Sequence, residues 1–491
     1  MKNKNKKNNE VQLTLSEIEG LSSQDKNELI KMQQMLGKNE RKNINKELKL
    51  LKKMQKAEEK KASDEKENKR LQIISNWFKL DNAANVYPAS GGKDWTFVYR
   101  IAVLLNEEVD SVVLQKALEV VMPRFPTFNV TLKRGLFWYY FDQMLTVPKV
   151  MEEKEFPCEK FSLWTGEHLF RIIYSGKRIS LEAFHALGDG RAAMTFFNSL
   201  IREYFVLQGK VVTGMQGCLN PHDLPSPEET EDAFSVYAND KKSNPHKEKK
   251  AFKIKGTEEP EGMGGTTYIE VLTDDIKRCA EKHGTKLYLY MVSVFAYVLY
   301  QRNKGAKRPI KLSLPIDLRS FFKTETLRNF SSYINIDIDA KKEYTFDDVV
   351  AVFKEGFAKI NADYLEKNIN SNMNIQKAWY VKYLPLFIKS IFIGMGFKLL
   401  GEDFYTLAVS NLGVVKAPPE FNKYINRYEV NLGRPKYNAK GVGAIAFNNK
   451  LVISINSRIK ERFLEKDFCR FLAADGANLR VESDRRDIYG R

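Results

Sequence analysis

Two runs of different apolar periodicity flank a seven-residue segment, Phe184-His185-Ala186-Leu187-Gly188-Asp189-Gly190. The run before it, residues 169–184, is strand-like, and residues 194–205 after it have the apolar spacing of an amphipathic helix. A strand that turns through glycines into a helix belongs to an α/β fold. This segment therefore constrains the fold most, and it places a histidine and an aspartate four residues apart at the turn.

His185 is one of only five histidines in the chain. A neutral imidazole has an ordinary pKa of ~6.5, so a histidine at such a turn can serve as a general base near neutral pH. Two other interpretations compete with this one. His185 can be a core histidine, or it can bind a metal ion together with Asp189, although no third ligand stands at metal-binding spacing.

Strand-like and helical runs alternate on both sides of a polar stretch at residues 216–264. The sequence predicts a charged arm at residues 1–70, a first α/β subdomain at 71–215, an exposed linker at 216–264 and a second subdomain at 265–491. Each subdomain is expected to contain a mixed sheet flanked by helices. The arm is predicted to be largely disordered or transiently helical.

Two local signals predict where helices begin. Asp110 is expected to cap a helix whose buried face carries four apolar residues, with Pro123 ending it. The buried face consists of Leu114, Ala117, Leu118 and Val121. Thr273 is expected to cap a second helix, because two acidic residues follow its hydroxyl group.

The net charge is +17, and residues 1–70 contain 19 Lys and Arg against 12 Asp and Glu. Such a balance fits a solvated lysine-rich surface, and it also fits an anionic partner. No nucleic-acid-binding signature is present, so nucleic acid is not an expected partner. The apolar stretch Tyr383–Leu400 contains lysines, and it can either contact a membrane surface or form a buried helix.

The four cysteines show no CxxC spacing, which disfavours a disulfide framework and a zinc site. The amino terminus has no apolar segment typical of a secretory signal, so a cytoplasmic location is expected. Neither a GxSxG elbow, a P-loop nor a GxGxxG loop is present, which disfavours hydrolase, NTPase and dehydrogenase functions.

The motif around His185 resembles that of the chloramphenicol acetyltransferase-like superfamily, where it is written HHxxxDG or HxxxDG. Phe184 replaces the first histidine, whereas His185, Asp189 and Gly190 match. Other segments resemble the alcohol acetyltransferase-type branch in the same order along the chain. They are Leu114-Gln115-Lys116-Ala117-Leu118, Pro123-Arg124-Phe125-Pro126, Leu318-Arg319 with Asn329-Phe330, and Ser410-Asn411-Leu412-Gly413.

The resemblance implies two similar α/β subdomains with an active-site tunnel at their interface. It implies acyl transfer from acyl-CoA, as co-substrate and without a metal ion, to a small-molecule alcohol, sugar or lipid hydroxyl group. His185 would be the general base, and Asp189 would complete the catalytic motif by fixing the loop through Arg319. Gly190 would permit a tight turn, and Ser410 or Asn411 would stabilise the oxyanion.

Two alternatives to acyl-CoA-dependent transfer remain. The protein can form an amide from a carrier-protein thioester, as condensation domains do, although no carrier or adenylation module is fused to it. It can also be a scaffold with this fold and no catalytic activity, although His185, Asp189 and Gly190 are intact.

Overall fold

Three β-sheets organise the residues that the computed structural model describes. Those residues are 77–90, 96–154, 156–239, 248–260, 264–377, 385–386, 388–390, 402–433 and 438–483. The predicted arm, residues 1–70, lies outside them. The chain from Asn76 onward forms one compact unit, so the two predicted subdomains are parts of one body.

The strands follow one another from the first described residue to the last. In chain order they are β1 (Trp77–Lys79), β2 (Val98–Leu105), β3 (Val130–Arg134), β4 (Tyr139–Gln143), β5 (Met151–Glu152), β6 (Phe170–Ser175), β7 (Arg178–Phe184), β8 (Gly265–Leu272), β9 (Ile310–Asp317), β10 (Ser331–Ile338), β11 (Leu407–Val414), β12 (Ile425–Asn431), β13 (Lys440–Phe447), β14 (Lys450–Ser457) and β15 (Leu479–Ser483).

Helices of very different length alternate with these strands. The α-helices of the described residues are α1 (Val86–Ser90), α2 (Ser111–Val121), α3 (Gly190–Leu207), α4 (Pro227–Thr230), α5 (Ala233–Tyr237), α6 (Thr273–Lys282), α7 (Leu287–Arg302), α8 (Phe346–Ala358), α9 (Ala362–Lys377), α10 (Phe421–Tyr424) and α11 (Phe463–Ala474). Short 3₁₀ turns are formed by Met122–Arg124, Leu318–Ser320 and Glu402–Phe404.

The first lobe contains a five-stranded sheet in the order β12-β2-β7-β6-β5 and a smaller sheet in the order β1-β4-β3. β2, β7 and β6 pair antiparallel, and α3 packs with α2 beside them. The six residues from Ile179 to Phe184 are buried without the alternation typical of a half-exposed strand. β7 is therefore a central strand, and its last residue leads directly into the histidine motif.

The second lobe contains a seven-stranded mixed sheet in the order β10-β9-β11-β13-β14-β8-β15. β11 runs parallel to β9 and β13, whereas the other pairs are antiparallel. The apolar helix α7 contributes ten buried residues to the core of this lobe. The predicted arrangement of mixed sheets flanked by helices is therefore confirmed in both lobes.

β12 connects the two halves of the chain. It follows β11 of the second lobe in sequence, yet it pairs antiparallel with β2 of the first lobe, from Ile425 opposite Leu105 to Asn431 opposite Arg100. Arg427 of β12 is buried and forms ion pairs with Glu429 and Glu270. The first sheet is thus completed by a strand that the sequence analysis did not identify.

Both helices begin where the sequence predicts, but only one of the two predicted caps is confirmed. Asp110 accepts hydrogen bonds from the backbone N–H groups of Val112 and Val113, and the predicted apolar face of α2 is buried. Thr273, however, is the first residue of α6 and does not cap it. The turn between β13 and β14 caps the helix instead, because the Asn449 side chain accepts a hydrogen bond from the backbone N–H of Asp274.

The segment predicted as an exposed linker is described at residues 216–239 and 248–260, and there it packs against the fold. Phe234 is 4% exposed and contacts the ring of Phe330 edge-on. Glu229 forms a two-pronged ion pair with Arg124, with Nη–Oε distances of 2.6 and 2.7 Å. Some residues of the segment are therefore buried because they pack against the fold, whereas others are exposed as expected, among them Leu224 at 89%.

Among the described residues, no helix is long and apolar enough to cross a membrane. Only residues 385–386 and 388–390 of the apolar stretch Tyr383–Leu400 are described. There the ammonium group of Lys389 donates to the carbonyl oxygen of Phe137 at 2.9 Å and lies over the ring of Trp138. The rest of the stretch lies outside the described residues.

Candidate active site

His185 immediately follows β7, and its ring is held between two aromatic side chains. Its backbone N–H donates to the carbonyl oxygen of Phe97 at 2.8 Å, which continues the sheet by one residue. The imidazole stacks on Tyr87 with ring centroids 4.8 Å apart and contacts Tyr99 at 5.1 Å. Because neighbours on both sides limit its rotation, the partly buried ring has a defined orientation.

Asn329, in the loop just before β10 of the second lobe, faces the ring of His185. Its side-chain Nδ2 donates to Oδ2 of Asp81 at 3.1 Å and to the carbonyl oxygen of Ala186 at 3.3 Å. Its Oδ1 faces Nδ1 of His185 at 3.3 Å. An oxygen can only accept, so Nδ1 of His185 is protonated and Nε2 has the lone pair of a base.

Burial lowers the pKa of His185 below its ordinary value, because the surrounding groups displace the water that would stabilise the imidazolium ion. A hydrogen bond of the ring with the backbone of His185 itself, the Asp189 charge and the hydrogen bond with Asn329 act in the opposite direction, in that order, without reversing the shift. The ring is therefore neutral at pH 7, which is the protonation state that a general base requires.

Asp189 caps α3 and at the same time binds the second lobe. Its Oδ1 accepts from the backbone N–H of Ala192 at 3.1 Å, which satisfies a free donor in the first turn of the helix. Its Oδ2 accepts from Nη1 of Arg319 at 2.7 Å and from the backbone N–H of Phe330 at 2.8 Å. Both oxygens are thereby committed to structural partners.

Arg319 is held by a set of acceptors that extends well beyond Asp189. It donates to the carbonyl oxygens of Thr326 and Arg328 and to the carboxylate of Asp317. Burial would raise the pKa of Asp189, but the Arg319 guanidinium and the surrounding N–H donors lower it overall. The buried pair is therefore ionised at neutral pH and joins the His185 loop to the second lobe.

The ion pair of Asp189 with Arg319 agrees with the sequence prediction. His185 and Asp189, the two motif residues, therefore have different partners. No hydrogen bond joins Asp189 to the ring of His185 in the described part of the chain. The histidine is free to exchange a proton through Nε2, whereas the aspartate holds the loop on which the histidine lies.

Gly190 is adjacent to this pair, and the steric constraint on it comes from a neighbouring side chain more than from the predicted tight turn. Gly190 is the first residue of α3, and its φ is not in the left-handed region. A Cβ atom at this position would instead lie 2.5 Å from Cδ2 of Leu412. The glycine therefore provides room for a side chain of β11, which packs directly against the start of the helix.

We expect Gly190→Ala to destabilise the protein by about 1 kcal/mol, near the low end of overpacking costs, because the end of the Leu412 side chain can shift. In a Leu412→Ala background the same change should be nearly neutral. Urea unfolding of the two single variants and the double variant measures this coupling. Energies that add to within about 0.3 kcal/mol would contradict the proposed contact.

Ser410 and Asn411 lie on β11, on the same strand as Leu412. The Asn411 side chain accepts from the backbone N–H of Gly413 at 2.9 Å. Neither residue forms a hydrogen bond with His185 in the part of the chain that the structure describes. Their predicted role at the oxyanion stays a prediction, although β11 brings them to the same end of α3.

Sequence reasoning missed three residues that surround the histidine: Asp81, Tyr87 and Tyr99. The hydroxyl group of Tyr99 donates to the carbonyl oxygen of Gly188 at 3.0 Å, inside the motif itself. These residues lie about 90 to 100 positions before His185 and form no local pattern with it. Asn329 was named with Phe330 as part of a segment that resembles the family, but nothing in the sequence indicated that it contacts the histidine.

The described residues contain no group of three or more His, Cys, Asp or Glu side chains arranged to hold a metal ion. The four cysteines are free. A comparison of the chain with protein-family models finds no match, and a comparison with curated protein sequences finds none either.

Solved structures nevertheless share this fold over most of the chain. Polyketide synthase associated protein 5 from Mycobacterium tuberculosis aligns with a TM-score of 0.52 at 14% identity, over 81% of this chain and 98% of that one. The first condensation domain of the CDA synthetase gives 0.54 at 12% identity, over 83% and 99%. The condensation domain from Monacolin K polyketide synthase MokA gives 0.50 at 12% identity, over 81% and 96%.

At these identities the comparison establishes the fold. The chain has the two-lobed α/β fold of these condensation domains. The predicted fold class is thereby confirmed.

Proposed function

We propose that this protein is an acyltransferase that moves an acyl group, acetyl in the first instance, from acyl-CoA to a hydroxyl acceptor. The observation that carries the proposal is the state of His185: burial lowers its pKa, so the ring is neutral at pH 7, and its Nδ1 lies 3.3 Å from Oδ1 of Asn329, an acceptor that favours a proton on Nδ1. That state suits proton transfer from an attacking hydroxyl group.

In the proposed reaction, Nε2 of His185 removes the proton of the acceptor hydroxyl as its oxygen attacks the thioester carbonyl. A C–O bond forms and the C–S bond breaks, so the acyl group is transferred and a thiolate departs. The proton on Nε2 then passes to the thiolate, which leaves as free CoA. His185 ends neutral, and no acyl-enzyme is required because both substrates are held together.

The negative charge on the tetrahedral carbonyl oxygen requires a donor. Ser410 and Asn411 are our candidates, since β11 packs against the helix that follows the motif. Asp189 and Arg319 are proposed to act by positioning, because they hold the loop and do not contact the ring. Replacement of either residue should therefore affect kcat through the placement of His185.

The lowered pKa of His185 predicts the pH dependence of the reaction. The base is active when neutral, so kcat/KM should rise with pH and reach half its plateau below pH 6.5, the ordinary histidine value. A pH profile with acetyl-CoA and a non-titrating alcohol measures this midpoint. A midpoint at or above 6.5 would contradict the lowered pKa of His185.

A second candidate is amide formation from a carrier-protein thioester. The similarity to condensation domains of peptide and polyketide synthases favours this donor more than it favours acyl-CoA. The same general base would then deprotonate an attacking amine. The chemistry at the thioester carbon is common to both candidates, and they differ in what carries the thiol and in the nucleophile.

The donor and acceptor can be separated by competition. The protein is given acetyl-CoA and acetylated carrier protein in parallel, each with a panel of primary alcohols and amines, and the products are identified by mass spectrometry. Esters formed from acetyl-CoA support the main proposal, whereas amides formed only from the carrier support the second. If neither donor binds by calorimetry, both are wrong and the non-catalytic scaffold is favoured.

A further inference from the structure

Asp81 is a fully buried carboxylate that the proposed reaction does not use. Its Oδ1 accepts from the backbone N–H of Ala84 at 2.7 Å. Its Oδ2 accepts from Asn329 twice, from the side-chain Nδ2 at 3.1 Å and from the backbone N–H at 3.3 Å. Arg328 contributes a compensating charge, with Nε 3.7 Å from Oδ2. Two of these contacts end on the residue that faces His185.

A carboxamide is nearly symmetric in shape, so its orientation is decided by its hydrogen-bond partners. Around Asn329 there are two acceptors on one side, the Asp81 carboxylate and the carbonyl oxygen of Ala186, and the His185 ring on the other. Placing the NH₂ group toward the two acceptors satisfies both of its hydrogens. The oxygen is then left facing Nδ1 of His185.

We propose that Asp81 is a positioning residue for His185: it fixes the orientation of the Asn329 amide and thereby keeps the base in the tautomer with Nδ1 protonated and Nε2 free. The inference rests on the proposed function for its catalytic consequence. Its structural part, control of the His185 tautomer by Asp81, can be tested without any assay of acyl transfer.

The consequence of losing Asp81 follows from the same hydrogen bonds. Without the carboxylate, the Asn329 NH₂ group keeps only one acceptor on that side, the carbonyl oxygen of Ala186 at 3.3 Å, so the preference for this orientation is weakened and a fraction of the amides can turn over. The NH₂ group would then donate to Nδ1 of His185, which can accept only when the proton is on Nε2. In that tautomer the lone pair is on Nδ1, so Nε2 cannot accept a proton from the substrate.

Asp81 also stabilises the turn into α1, which carries the Tyr87 ring that stacks on the histidine. The side chain of Asn85 donates to the carbonyl oxygen of Asp81 at 2.9 Å, and Ala84 binds the carboxylate. A loss of activity in an Asp81 variant could therefore reflect a displaced tyrosine. Tyr87→Leu separates these effects, because it removes the stacking ring and leaves the Asp81–Asn329 contact in place.

The experiment compares Asp81→Ala with Asp81→Asn in the full chain labelled with ¹⁵N-histidine. The introduced asparagine side chain has the shape of the aspartate and keeps one oxygen that can accept from Asn329. Its NH₂ group then replaces the oxygen that accepts from Ala84, so that contact is lost. NMR shifts of the imidazole nitrogens report the tautomer, and the His185 signals are assigned by their absence in His185→Gln. Asp81→Ala/Arg328→Met removes the charge pair together, in case the single alanine variant does not fold.

We expect wild type and Asp81→Asn to show Nδ1 protonated, and Asp81→Ala and the double variant to show a larger fraction of the Nε2-protonated form than wild type. Tyr87→Leu should keep the wild-type tautomer. In the transfer assay, kcat of Asp81→Ala should fall about 10- to 100-fold at unchanged KM, less than the ~10⁴-fold reported for an orienting carboxylate in direct contact with its histidine. Asp81→Asn should restore most of that loss.

An unchanged His185 tautomer in both Asp81→Ala and the double variant would overturn the proposal. So would a kcat loss no larger than that of Glu465→Ala, which removes a buried carboxylate paired with Lys440 elsewhere in the fold. If the wild type transfers no acyl group, the proposed function fails. The tautomer measurement then still decides whether Asp81 controls the histidine.

Discussion

His185→Ala is expected to lower kcat for thiol release from acetyl-CoA by roughly 100- to 10,000-fold, the range that general acid–base catalysis contributes. KM should change little, because a base acts on the proton in the transition state. The ring is partly buried and stacks on Tyr87, so the variant should lose modest thermal stability and remain folded. Free thiol is followed with a thiol-reactive dye and a panel of primary alcohols.

His168→Ala is the matched control for this variant. His168 is also a histidine whose pKa is lowered by burial, and its Nε2 contacts Oδ1 of Asn129 at 2.9 Å. It packs edge-on against Phe170 in the first lobe. Turnover should survive this change. Undiminished turnover in His185→Ala, or equal losses in both variants, would exclude His185 as the base.

Asp189→Asn is expected to destabilise the protein by about 3–5 kcal/mol, the usual cost of leaving one member of a buried ion pair without its partner. Arg319 would keep its charge while its side chain is only 4% exposed. The amide would also present an NH₂ group to a site where three N–H donors now converge. Urea unfolding measures the loss, and kcat should fall with it because the loop carries His185.

The double variant Asp189→Asn/Arg319→Met tests whether the unpaired charge is the cause. Removing both charges should recover a large part of the lost stability, whereas additive losses would contradict the pairing. The pH dependence has a defined sign. Because the pKa of Asp189 is below its ordinary value of 3.8, its stabilising contribution is complete above that value and is lost as the pH falls through the lowered pKa.

The features that the sequence predicted are those whose signal is local. The strand-like run at residues 169–184 forms β6 and β7 and ends at Phe184 as predicted. Helix α2 has its Asp110 cap and its buried face because a capping side chain and an apolar stripe act within a few residues. The turn that presents His185 and Asp189 is local in the same sense. Arg319 was paired correctly with Asp189 only through the family resemblance, since nothing nearby in the sequence connects them.

The features that the sequence did not predict depend on distant partners. Thr273 resembles a helix cap, but the side chain of Asn449, in a distant hairpin, accepts the hydrogen bond from the backbone N–H of Asp274. Gly190 resembles a turn glycine, but its constraint is Leu412 on β11. No local pattern marks Asp81, because its role depends on a hydrogen bond that it accepts from Asn329, 248 positions away in the chain. Such roles arise from tertiary contacts, and a single sequence contains no record of them.

β12 was missed because charged residues interrupt its apolar pattern. Arg427 and Glu429 are buried in an ion-pair cluster with Glu270 and Glu482, so the strand shows neither alternation nor a continuous apolar run. Charge here is compatible with burial since each group has a partner. A pattern search that treats charge as a sign of exposure therefore classifies this segment as a loop.

The pairing of β12 with β2 also sets when the first sheet can be completed during synthesis on the ribosome. Contacts at this edge join residues more than 300 positions apart, among them Asn106 with Lys423 at a separation of 317. At a synthesis rate of roughly 5–20 residues per second, β12 is synthesised about 15–60 s after β2, and the edge of β2 is unpaired until then. During that interval an unpaired strand is exposed to other nascent chains, so cellular yield depends on translation speed and chaperone supply as well as on final stability.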